Sequence, residues 1–89
     1  MPSREFEIVN ERGMHARAAA EFTRTAAQFR SAIFVSRDGT VVNGKSIMGL
    51  LMLAAYCGST IEVRAEGEDA EEALNRLQAL VESRFGEDE

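Results

Sequence analysis

The sequence predicts an α+β fold, a two-layer open-faced sandwich. A four-stranded antiparallel sheet carries three helices on one face, in the order β-α-β-β-α-β-α. Three observations carry this expectation. Two stretches, Arg4 to Val9 and Thr60 to Glu66, alternate apolar and charged residues, the period of a strand with one wet face. Asp38-Gly39 lies between two β-branched runs, a strong hairpin signal because both turn positions accept positive φ. Three other stretches space their apolar residues by three and four, as amphipathic helices do. At 89 residues the chain supports one core, so residues 1–89 are expected to form a single domain.

In the first strand, Phe6 and Ile8 face one side and Glu5 and Glu7 the other. Asn10 to Gly13 reads as a loop. From Ala16 to about Phe29, Ala19, Phe22, Ala26 and Phe29 form one apolar stripe, and the run Ala18-Ala19-Ala20 adds helix propensity. Ala32 to Ser36 and Thr40 to Val42 are the hairpin strands, followed by a second turn at Asn43-Gly44. Ser46 is then a natural N-cap for Ile47 to Ala54, where Ile47, Leu50, Leu51 and Ala54 make the expected core stripe and Gly58 ends the segment. Met48 and Met52 fall off that stripe, four apart on one face. Gly49 costs up to ~1 kcal/mol inside a helix, which implies close approach by another group. After the strand at Thr60–Glu66, Asp69 with Glu72 has capping-box spacing. Ala70, Ala73, Leu74, Leu77 and Leu80 or Val81 give the last helix its buried stripe. Gly86 is expected to end it, with Glu87-Asp88-Glu89 fraying beyond.

Composition narrows the function. Hydrophobic residues make up 45% and charged residues 28%, values of an ordinary globular protein. No apolar run approaches the ~20 residues of a membrane span, so no membrane insertion is expected, and the cytoplasm is the default location. A net charge of −5 argues against nucleic acid as a partner. The charge is uneven: residues 1–61 carry seven basic and five acidic side chains, residues 62–89 three and ten. One cysteine, Cys57, forms no intrachain disulfide and reads as a small packing residue; with one histidine it cannot complete a four-ligand zinc site. No metal and no cofactor are expected.

Gly39 to Ser46 satisfies the phosphate-loop pattern of glycine, four residues, then Gly-Lys-Ser. The reading is rejected. Thr40-Val41-Val42 after Asp-Gly forms the return strand of a hairpin, and the chain has no room for the parallel sheet that such loops serve. A nucleophilic triad also fails, since His15 is the only histidine.

What remains is Gly13-Met14-His15-Ala16-Arg17. None of Ser, Thr, Asp or Asn occurs from Arg12 to Glu21, so the first helix begins without an ordinary cap. The free amides and positive dipole end there suit an anion beside an imidazole. An imidazole titrates near pH ~6.5, so its neutral form can accept a phosphoryl group and later surrender it. Arg17 and the amides of Ala16 and Arg17 are the candidate phosphate ligands.

This run closely resembles the active-site signature of HPr, the histidine-containing phosphocarrier family of the bacterial phosphoenolpyruvate-dependent phosphotransferase system. Lys45-Ser46-Ile47-Met48-Gly49-Leu50 resembles the family's regulatory serine segment, and Thr60 through Leu80 with Phe85-Gly86-Glu87 matches its layout. The resemblance implies that His15 is phosphorylated on Nδ1 by phospho-Enzyme I and passes the group to an enzyme IIA component, with Arg17 as the active-site arginine. It implies that Ser46 matches the site of the ATP-dependent HPr kinase/phosphorylase, with an effect on Enzyme I docking through charge rather than through refolding. It maps the docking surface onto Ala16, Ala20, Arg24, Ile47, Met48 and Met52. A monomeric phosphocarrier, rather than a stand-alone enzyme, is therefore expected. The competing reading is a non-catalytic adaptor controlled by Ser46. Ala18 stands where the family usually has proline, which relaxes the preorganisation of the helix start. Gly13 to Arg17 with Leu50 to Leu53 resembles the nitrogen-related branch of the family, while Lys45 to Gly49 resembles the kinase-regulated carriers, so sugar transport and nitrogen-type regulation both stay open.

Overall fold

The computed structural model describes residues 2–87. Its elements are β1 (Ser3–Glu7), α1 (Ala16–Ala26), β2 (Ala32–Arg37), β3 (Thr40–Asn43), α2 (Ile47–Met52), β4 (Thr60–Glu66) and α3 (Ala70–Glu82), with a final 3₁₀ turn at Arg84–Gly86. The strands form one antiparallel sheet in the order β1-β4-β2-β3. Period-two alternation sends Phe6, Ile33, Val35, Ile61, Val63 and Ala65 to the buried face. The helices cover that face with Ala19, Phe22, Leu50, Leu74, Leu77 and Val81, all with 1% exposure or less. The predicted open-faced sandwich is therefore the observed one. No helix among the described residues is long and apolar enough to cross a membrane.

The hairpin forms as expected, with Arg37 opposite Thr40 across Asp38 (φ 51°) and Gly39 (φ 86°). The Gly44 amide donates to Ile33 O at 2.7 Å. The phosphate-loop pattern thus lies in a strand and its exit turn. Gly49 is closely approached, as expected, since a Cβ there would stand 3.2 Å from Val42 Cβ.

Several local expectations are corrected. The first helix stops at Ala26 rather than near Phe29, because Asp69 holds the chain that follows. Its carboxylate accepts the amides of Arg30 at 2.8 Å and Ser31 at 2.9 Å, and also the Ser31 hydroxyl. It makes no capping bond to α3, so the capping-box reading of Asp69 and Glu72 fails. The second helix ends at Met52, with the turn made by Ala54 at φ 51° rather than by Gly58. In so short a helix only one side reaches the core: Leu50 and the following Leu53 are buried, whereas Ile47 and Ala54 are exposed. Cys57 is exposed and does not pack. The third helix ends at Glu82, ahead of Gly86.

The hydrogen bonds on Asp69, led by the Ser31 side chain and then the Arg30 amide, hold its carboxyl below an ordinary value of 3.8 despite the opposing effect of burial. A depressed folded value means that this stabilisation is complete above the ordinary range and is lost as pH falls through the folded value. Asp69→Asn is therefore expected to flatten the acid limb of stability. Urea midpoints of variant and wild type should differ near neutrality and converge as pH falls through the folded value; parallel curves would contradict the assignment.

Candidate functional site

The site begins in the loop after β1. Gly13 adopts φ 71°, and its amide donates to Asn10 O at 3.1 Å. Met14, buried to 5% exposure, anchors the loop, and its amide donates to Ala55 O at 2.8 Å. His15 is thereby held at the helix start with extended backbone (φ −80°, ψ 179°).

His15 itself is the N-cap. Its Nδ1 accepts the Arg17 amide at 3.2 Å. The sequence rule that Ser, Thr, Asp or Asn takes this place misses an imidazole doing the same work with a ring nitrogen. The uncapped helix start is thus corrected to one capped by the histidine. The amide of Ala16 has no partner among the described residues, and the Arg17 guanidinium is exposed and equally free of one. Ala18 is fully buried at the third helical position, so the helix starts here without proline.

The other ring nitrogen reveals a residue that sequence reading missed. Nε2 of His15 contacts the carboxylate of Glu87, which was expected to fray. Asn10, with no exposed surface, donates Nδ2 to Gly13 O at 2.8 Å and to Glu87 Oε1 at 3.0 Å. Burial raises the Glu87 pKa. Hydrogen bonds from Asn10 and His15, and then the charges of His15 and Arg12, outweigh it and hold the carboxyl below its ordinary value. The chain reaches this point because Arg84, Phe85 and Gly86 all take positive φ, folding it back beneath the loop. Left-handed geometry costs about 1–2 kcal/mol for each non-glycine residue. Burying Phe85 offsets it by about 1.5–3 kcal/mol. No sequence spacing signals a contact across 72 positions. Asp88 and Glu89, also expected to fray, lie outside the described residues.

The remaining candidates sit on α1 and α2, which pack against each other. Ala16 and Arg24 are exposed and Ala20 half-buried along one side of α1, with Arg24 paired to Glu21 at 2.6 Å. Ile47, Met48 and Met52 are 42%, 70% and 74% exposed. So much apolar surface on one short helix is unusual unless something docks there. Arg37 stiffens the far end of α2, donating to Leu53 O at 2.9 Å and stacking over Tyr56. Ser46 caps α2 as expected, its Oγ accepting the Gly49 amide at 3.0 Å. Ser46→Ala should cost about 1 kcal/mol, read as a lower urea midpoint; an unchanged midpoint would show the cap to be idle.

Fold and site define a class: a small open-faced antiparallel sandwich presenting one histidine at the start of its first helix. Comparison with known proteins identifies the family. The family described as the PTS HPr component phosphorylation site matches residues 2–83. The phosphocarrier protein HPr of Neisseria meningitidis is 48% identical over the full length of both chains, and that of Cupriavidus necator 47%. An HPr crystal structure from Thermoanaerobacter tengcongensis superposes with a TM-score of 0.96 at 46% identity, covering all of both chains. A second structure from that organism, described as an HPr dimer, has a TM-score of 0.79 at 47% identity and covers 98% of this chain and 100% of its own. The chain belongs to the HPr family, the phosphocarriers of the phosphotransferase system, whose partners include Enzyme I and enzyme IIA components.

Proposed function

We propose that His15 carries the phosphoryl group, on Nδ1, between phospho-Enzyme I and an enzyme IIA component. The observation that supports this most directly is the bonding of the ring. Nδ1 is an acceptor, so its lone pair is unprotonated, and it lies at the amides of the first helical turn. When Nδ1 bonds phosphorus it releases the Arg17 N–H, which can then donate to a phosphoryl oxygen. The cap is exchanged for a phosphate ligand, with the Ala16 amide and the Arg17 guanidinium as further donors. The exposed side of α1 and α2, from Ala16, Ala20 and Arg24 to Ile47, Met48 and Met52, is the docking surface in this reading.

Ser46 is the regulatory site for an HPr kinase/phosphorylase. A phosphate at this N-cap meets the positive end of α2, so it adds charge to the docking face without opposing the helix. In this reading the protein works in the cytoplasm, and as a monomer, since Arg17 and Glu87 bond His15 and Asn10 holds Glu87, all within one chain.

The test is incubation with phosphoenolpyruvate and Enzyme I, followed by mass-spectrometric mapping under alkaline conditions. One acid-labile phosphoryl group on His15 is expected, and label on any other residue overturns the assignment. Incubation with ATP and the kinase should instead give an acid-stable phosphate on Ser46. If that were the only label obtained, the adaptor reading would replace the carrier.

A further inference from the structure

We propose that Glu87 is a positioning residue for phosphoryl transfer: held by the buried Asn10, its carboxylate keeps the proton of His15 on Nε2 and balances the charge that the ring gains when Nδ1 bonds phosphorus. The proposal rests on His15 being the acceptor and adds to that reading a residue far away in the chain.

Both ring nitrogens have partners, and the two bonds require the same tautomer. The Arg17 amide can only donate, so Nδ1 must offer a lone pair. An ionised Glu87 can only accept, so Nε2 must carry the hydrogen. A third group fixes the carboxylate. Both Nδ2 hydrogens of Asn10 are committed, one to Gly13 O and one to Glu87 Oε1. Turning the amide over would set its oxygen against the carboxylate. Asn10 Oδ1 is buried without a partner among the described residues, a cost that the two bonds from Nδ2 must offset. The hydrogen bonds that keep Glu87 ionised also keep it acceptor-only.

The transfer step shows what this arrangement supplies. The Nδ1 lone pair forms the N–P bond while the bond from phosphorus to the donor atom of phospho-Enzyme I breaks, its electron pair returning to the donor. No proton leaves His15. The product ring bears phosphorus on Nδ1 and hydrogen on Nε2, so it is cationic, and Glu87 stands at the atom where that charge is shared. A carboxylate orienting an imidazole in this manner works as in hydrolytic triads, by fixing the tautomer and stabilising the imidazolium. It also raises the basicity of the opposite nitrogen.

The test uses the full chain, uniformly labelled with ¹⁵N, and the Glu87→Ala and Glu87→Gln variants. Ring-nitrogen shifts of His15 are read at pH ~8, above the ordinary imidazole range, and the rate of phosphoryl uptake from phospho-Enzyme I is measured on the same samples. The wild type should show a protonated Nε2 and a bare Nδ1. Glu87→Ala should show mixed tautomers and a rate lower by about tenfold or more. Glu87→Gln keeps an acceptor for Nε2 only by turning its NH2 toward the Asn10 donor, so it should favour the same tautomer less firmly than the wild type and lose part of the rate. Unchanged ring shifts in Glu87→Ala overturn the proposal even if the rate falls, because Glu87 would then act elsewhere. Shifted tautomers with an unchanged rate overturn its part in transfer. The tautomer is read on unphosphorylated protein, so a wild type that takes no phosphoryl group on His15 is recognised separately, as failure of the acceptor assignment.

Discussion

His15→Ala is expected to reduce phosphoryl uptake from phosphoenolpyruvate and Enzyme I to the assay background. The chain has one histidine, and without it no atom at the helix start can form the bond to phosphorus. The competing explanation for such a loss is unfolding, and magnitudes separate the two. His15 caps α1 through the Arg17 amide, and losing an N-cap costs about 1 kcal/mol. Domains of this kind have about 5–15 kcal/mol in hand, so the variant should fold with a modestly lower urea midpoint. His15→Asn sharpens the distinction, because asparagine caps well but cannot carry the group. It should recover the midpoint and none of the uptake. Uptake surviving either substitution would mean that the group resides elsewhere.

Gly13→Val is expected to be the most damaging single change near the site. A Cβ at Gly13 would lie 2.7 Å from Ala55 O and 3.0 Å from Tyr56 Cα, both backbone atoms that cannot rotate away. The left-handed φ adds about 1–2 kcal/mol, and overpacking a closed contact about 1–3 kcal/mol, giving a loss of about 2–5 kcal/mol in stability, read as a lower urea midpoint. Function should fall beyond the loss of stability. The Met14 amide bonds the same Ala55 carbonyl, so relieving the clash shifts the residue before His15. Phosphoryl uptake measured well below the unfolding midpoint should therefore drop, and wild-type uptake with an unchanged midpoint would show that the contact yields easily. Gly39, whose Cβ position is open, is the contrasting site: Gly39→Ala meets its turn geometry but no neighbour.

Local physics explains how much was readable in advance. Phe6, Ile61 and Val63 alternate with polar neighbours because a sheet with one wet face demands it, and that alternation is written in adjacent residues. Asp38-Gly39 and the Ser46 cap are equally local. Helix ends were less legible. Asp69 has the composition of a capping box, yet a competing set of donors from the loop before β2 took its carboxylate. Ala54 ends α2 in a conformation usually reserved for glycine, because burial of Leu53 and Ala55 on either side leaves the chain little choice. At the site, Gly13, His15 and Arg17 could be picked out by chemistry and spacing, and Met48 and Met52 by their place off the apolar stripe.

The sequence by itself determined the elements, their wet and buried faces, the hairpin and the choice of His15, since each depends on residues a few positions apart. The tertiary structure alone decided that His15 is its own helix cap and that Glu87 meets it. A capping bond depends on backbone direction at one residue. A contact between the first loop and the end of the chain depends on where Phe85 finds a place in the core. Neither quantity is encoded in a periodicity, and together they set the partners of the two imidazole nitrogens.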